Sequence, residues 1–127
     1  MSPNPAFRLS PRIWRLLFWL CLIAVLVLAL MPPTQPMPTT GWDKANHVLA
    51  FLVLGGLGRR AYGRQRTVVL LALVGYGVLI ELLQGMTTYR DADPADVLAD
   101  SIGLLAALAL DGFLAWAGWL RTGASGS

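Results

Sequence analysis

Charge is scarce in this chain: only 13% of its 127 residues are charged, about half the share found in a soluble domain. With hydrophobic residues at 56% and a mean hydropathy of +0.60, a water-solvated fold is excluded and lipid becomes the expected solvent. Cysteine occurs once, at Cys21, so no intramolecular disulfide can form, and its place within an apolar run makes it a small filler. Repeats with a period of about 20–50 residues and apolar heptads are both missing, which excludes solenoids and coiled coils. The formal charge is +3, yet no basic groove with interleaved aromatics accompanies it, and nucleic acid is not an expected partner.

What the sequence does contain is four apolar stretches, at 13–31, 42–58, 67–86 and 94–120, separated by proline, glycine and arginine. At a rise of about 1.5 Å per residue, each is long enough, or nearly so, to cross about 30 Å of hydrocarbon. The expected fold is all-α, an integral membrane four-helix transmembrane bundle forming a single domain over residues 1–127. The first stretch follows Arg8, Arg12 and Arg15, as the apolar part of a signal peptide would, but it exceeds the usual length of about 7–15 residues and reads as an uncleaved helix. Pro32, Pro33, Pro36 and Pro38 stop it, because proline lacks the amide donor and fixes φ. Pro94 suits the first position of the last helix.

Basic residues set the expected orientation, since Lys and Arg beside spans are retained on the cytoplasmic side. With the N-terminus inside, Arg8, Arg12, Arg15, Arg59, Arg60, Arg64, Arg66 and Arg121 are cytoplasmic, and only Lys44 and Arg90 are external. The expected location is the bacterial cytoplasmic (inner) membrane, multi-pass, with both termini cytoplasmic. Trp14, Trp116 and Trp119 near one interface, and Trp42 and Tyr89 near the other, match the aromatic belts of spanning helices.

Six of the seven acidic residues, Asp43, Glu81, Asp91, Asp93, Asp96 and Asp100, then fall on the external side. Counted inward, His47, Glu81 and Asp100 lie at similar depths of about 7–9 Å on three different helices. Charge within a span costs at least a few kcal/mol unless it faces the bundle interior, water or a partner. Spacing supports a shared location, because Asp43 and His47, Glu81 and Gln84, and Asp93, Asp96 and Asp100 each occupy one helical face. Ala95, Ala99, Gly103 and Ala107 add a small-residue stripe that lets another helix approach, which makes the fourth helix the expected centre. Gly55, Gly56, Gly75 and Gly77 are read as packing positions.

The series D-K-A-N-H at 43–47, E-L-L-Q at 81–84, then Arg90, Asp93, Asp96, Asp100 and Gly103 resembles the motifs of the VanZ-like family. The resemblance covers roughly residues 32–112, and it departs at Asp100, where the family usually has Asn. It implies a cell-envelope membrane protein with a link to susceptibility to teicoplanin-type lipoglycopeptides. The candidate polar cluster comprises Asp43, Lys44, His47, Glu81, Gln84, Arg90, Asp93, Asp96 and Asp100.

Each of these residues has a plainer reading beside the functional one. His47 next to Asp43 reads first as a hydrogen-bonded structural residue, and Lys44 as the partner of Asp93, Asp96 or Glu81. Arg90 is open between such an ion pair and bidentate capture of a phosphate or carboxylate headgroup. Asp91 reads as solvated and Asp111 as an exposed interfacial residue near the cytoplasmic end. No cofactor is expected; the weaker alternative is Mg²⁺ or Ca²⁺ on Asp43, Glu81, Asp96 and Asp100, for which no EF-hand loop fixes the geometry.

The leading expectation is a non-catalytic protein that binds the polar headgroup of a lipid or cell-wall precursor in an external pocket. Membrane lipids are the expected partners, with a cell-wall precursor or lipoglycopeptide beside them. Thr87 and Thr88 lie near the site without a recognisable base. The alternatives are a membrane hydrolase or transferase acting on a phosphate-containing lipid, with Glu81, Asp96 or Asp100 as acid or base, and a small proton-coupled transporter.

Overall fold

The computed structural model describes residues 8–32 and 42–123, with the side chains of Trp42 and Asp43 outside the description. Four helices account for nearly all of it: α1, Pro11–Leu30; α2, Trp42–Ala61; α3, Arg66–Gly85; and α4, Pro94–Gly123. Only a short turn at Gly63–Gln65 separates α2 from α3. No strand occurs among the described residues.

Local chemistry explains the boundaries. Ser10 caps α1 by accepting from the Ile13 amide, and Pro11 follows at a position where a missing amide hydrogen costs nothing. Asp93 does the same for α4, its carboxylate accepting from the Ala95 amide at 3.0 Å with Pro94 between them. The C-terminus of α1 is satisfied from outside the helix, because Gln84, Tyr89 and Arg90 donate to the carbonyls of Ala29, Leu30 and Met31. Those are carbonyls that a helix end leaves without intrahelical partners.

The helices alternate in direction. One end of the bundle therefore gathers the end of α1, the start of α2, the end of α3 and the start of α4, as the contacts of Gln84 with Ala29 and of His47 with Asp100 require. This acidic end is opposite one where Arg59 and Arg60 meet Asp111.

Three helical segments, Pro11–Leu30, Gly63–Gly85 and Pro94–Gly123, are long and apolar enough to cross a membrane. Their outward faces carry exposed Leu16, Leu20, Ile23, Leu71, Leu82, Leu98, Leu105 and Phe113, a surface that only lipid would solvate well. The exception is α2, which is 20 residues long but has Lys44 and His47 near its start and Arg59 and Arg60 in its last turn. It packs against α1, α3 and α4, whereas the backbones of α1 and α4 do not come close to each other among the described residues. The expected central helix, α4, is thus replaced by α2. Neighbours on three sides cover α2, so its sequence need not be apolar throughout.

The small-residue stripe works as expected from its spacing, but its partner is α2. A Cβ at Gly103 would strike the Val48 carbonyl and lie 3.0 Å from the Leu52 nitrogen, so the two backbones touch there. Ala99 and Ala107 are buried on the same face. Around this seam Phe51, Leu54, Leu73, Ile80 and Leu104 form the core, with Phe18 of α1 completing it. Gly55 packs onto Ala107, but Gly75 faces open space and does not serve the packing expected of it.

Asp111 also departs from expectation. Its side chain is only 12% exposed and lies 3.6 and 3.4 Å from the guanidinium nitrogens of Arg59 and Arg60. Arg60 in turn sits over the Trp14 ring, and Arg15 over Tyr62. The two arginines at the end of α2 draw this α4 carboxylate inward.

Candidate functional site

The acidic end is built from three helices. From the first two turns of α2 come Lys44 and His47, from the last turns of α3 comes Glu81, and from the start of α4 come Asp93, Asp96 and Asp100. Lys44 Nζ lies 3.0 Å from Asp93 Oδ2 and 3.3 Å from Asp96 Oδ1, which is the ion-paired arrangement. The Asp93 end of this contact is half exposed, so water screens it and its share in stability is small. Hydrogen bonding from Lys44, and then from the Ala95 amide, holds the Asp93 carboxyl below its ordinary range.

His47 is the hinge of the deeper part. Its Nδ1 lies 2.7 Å from Asp100 Oδ1, and its Nε2 lies 3.6 Å from Asp96 Oδ2. Since an ionised carboxylate only accepts, the short contact puts the ring hydrogen on Nδ1. Glu81 accepts from the Asp93 amide through Oε2 at 2.9 Å. One ligand-type atom from each of His47, Glu81 and Asp96 falls within 4.8 Å of the others.

Two oxygens in this region are buried without a hydrogen-bond partner among the described residues: Glu81 Oε1 and Asp100 Oδ2. Their residues are 5% and 1% exposed, and an orphaned buried polar atom calls for a physical reason. Gly77 supplies the room for Asp100, because a Cβ there would lie 2.6 Å from Oδ2.

Gln84 and Arg90, expected in the same cluster, go elsewhere. Gln84 is buried and donates to Ala29 at 2.9 Å, and Arg90 donates through Nε and Nη2 to Met31 at 3.3 and 3.2 Å. Arg90 makes no ion pair with a carboxylate among the described residues. The reason is the end of α1, whose unpaired carbonyls carry partial negative charge and attract cations and amide donors. Asp43 stands in the first turn of α2, but its side chain lies outside the described residues. Thr87 donates its hydroxyl to the Gln84 carbonyl at 2.6 Å, and Asp91 is exposed.

His47, Gln84 and Arg90 nevertheless meet along a cavity of about 490 Å³ between α1, α2 and α3. Its walls are mostly apolar, including Val25, Leu28, Leu49 and Phe51, and its polar groups are Asn46, His47, Gln84 and Arg90. Asn46 stands inside the D-K-A-N-H motif at 43–47 but is not among the candidate site residues read from the sequence; the motif is the signal that could have found it. No residue of α4 lines this cavity, because Ala99, Gly103 and Ala107 bring α4 tightly onto α2.

A family model described as VanZ/LLP1 matches residues 16–114, a range that holds every side chain of the acidic end and the cavity described above. No curated protein and no solved structure gives a significant match. With most of its length matched, from within α1 to within α4, the chain belongs to the VanZ-like family of membrane proteins.

Proposed function

We propose that this protein binds an amphiphile with an anionic headgroup, a membrane lipid or a lipid-linked cell-wall precursor, in the cavity between α1, α2 and α3. Through it, access of teicoplanin-type lipoglycopeptides to the envelope is altered. The single observation carrying this reading is the cavity's polarity: apolar side walls that suit acyl chains lead to Asn46, His47, Gln84 and Arg90. Arg90 is anchored by donating through Nε and Nη2 to the Met31 carbonyl, which leaves Nη1 without a protein partner among the described residues. An anchored guanidinium pays little ordering entropy when it meets a phosphate or carboxylate. The proposed site faces outward from the cell, in keeping with the eight basic residues assigned to the other side.

Native mass spectrometry of the protein released from nanodiscs tests the reading. The wild type is expected to retain phosphatidylglycerol in preference to phosphatidylcholine. Arg90→Ala should lose about tenfold or more in retention, the equivalent of one charge-assisted hydrogen bond of roughly 1.5 kcal/mol. Equal retention of both lipids, or retention unaffected by Arg90→Ala, would overturn it.

A further inference from the structure

We propose that His47, Glu81 and Asp96 form a binding site for one divalent first-row metal ion, Mn²⁺ or Zn²⁺, at the junction of α2, α3 and α4. Three independent features of the acidic end lead there.

The first is the convergence of donor atoms. Three helices bring one imidazole nitrogen and two carboxylate oxygens within 4.8 Å of one another. The His47 Nε2 to Asp96 Oδ2 separation of 3.6 Å is longer than a hydrogen bond. It is close to the edge of about 3.4 Å between two ligands that each lie about 2.1 Å from a tetrahedral metal. A small inward adjustment of Glu81 would complete the set.

The second is the orphan oxygen. Glu81 is 5% exposed, its Oε2 is occupied by the Asp93 amide, and its Oε1 has no hydrogen-bond partner among the described residues. A buried carboxylate oxygen in that state has exchanged water for nothing, and a cation supplies what it lacks.

The third is the orientation of the histidine. Asp100 Oδ1 accepts from Nδ1 at 2.7 Å, which leaves Nε2 as the coordinating nitrogen and fixes the ring plane. A carboxylate behind a ligating imidazole is the usual support for such a ligand and raises its basicity. Asp100 is thus a positioning residue.

Charge points the same way. Among the described residues Glu81, Asp93, Asp96 and Asp100 face only Lys44 and one imidazole, and Lys44 can keep Asp93 while Asp96 turns to an ion. The mixed nitrogen and oxygen donor set favours Mn²⁺ or Zn²⁺ over Mg²⁺ and Ca²⁺, which prefer oxygen alone. This inference goes beyond the lipid reading and stands without it.

The test uses detergent-purified full-length protein stripped with EDTA and desalted, then titrated calorimetrically with MnCl₂, ZnCl₂ or MgCl₂ in the absence of added lipid. Expected is one Mn²⁺ or Zn²⁺ per chain with a higher melting temperature that EDTA reverses. His47→Gln and Glu81→Gln should each lose at least about a hundredfold in affinity. Asp100→Asn should lose about 10–100-fold, as expected for a supporting group. Asp91→Asn, which is exposed, should bind like the wild type. Melting curves of the metal-free variants show which are folded, and Glu81→Gln retains an oxygen for the Asp93 amide. Absence of stoichiometric binding to folded wild type would overturn the site. Undiminished binding by folded His47→Gln or Glu81→Gln would do the same, and Mg²⁺ binding as tight as Mn²⁺ would overturn the assignment of metal class.

Discussion

His47 Nδ1 donates to Asp100 Oδ1 across 2.7 Å, joining α2 to α4 through side chains that are 10% and 1% exposed. Because both partners are withdrawn from water, losing one leaves the other without a replacement. Asp100→Leu should therefore lower stability by about 1–3 kcal/mol, while Asp100→Asn, which keeps a carbonyl acceptor for Nδ1, should lose less. Thermal unfolding of the metal-free proteins in one detergent distinguishes them. Equal losses would mean that the fit against Gly77 matters and the hydrogen bond does not.

The α2–α4 seam predicts a contrast between two glycines. Gly103→Ala places a methyl group against the Val48 carbonyl, so the helices must separate, and a loss of about 1–3 kcal/mol is expected. Gly75→Ala meets no atom within 4 Å and should be neutral or stabilising by up to about 1 kcal/mol. Melting temperatures of the two variants check this directly.

In a host where the wild-type protein changes teicoplanin susceptibility, Arg90→Ala and Asp96→Asn should abolish the change with membrane abundance unaltered. Arg90→Lys should also be impaired, because an ammonium cannot reproduce the planar fork. Asp91→Asn should retain the phenotype. Asp111→Asn should retain it as well, despite losing ion-pair strength with Arg59 and Arg60 at the opposite end. Reduced abundance of Arg90→Ala would instead identify its role as closing the end of α1.

The basic residues predict both termini in the cytoplasm. An alkaline phosphatase fusion in the loop at Thr39 should be active, and one after Arg121 inactive. The reverse pattern would place the acidic end inside the cell.

Much of the fold was legible along the chain. Proline stops, apolar runs and the Asp93-Pro94 start are consequences of each residue's own backbone and transfer chemistry, so the four helices begin and end close to where those signals fall. The meeting of Asp96 and Asp100 with His47 was also prepared by spacing, since residues four apart share a helical face. A spacing rule says which residues share a face; it does not say which neighbour that face meets. Glu81 and Gln84 differ by about 60° around α3, and that rotation is enough to send one toward α4 and the other to the carbonyls of α1.

Helix identity, span length and the concentration of carboxylates near one end thus follow from residue types and their order alone, because they depend on interactions within a few turns. The central place of α2, the capture of Gln84 and Arg90 by α1, and the opening of a cavity on the α1 side belong to the packed chain. They depend on how closely backbones approach, and that distance is set where Gly103 of α4 meets Val48 and Leu52 of α2, 55 and 51 positions away along the chain. Tight contact there closes one side of α2 and leaves space on the other, a result of summed side-chain volumes that no local pattern encodes.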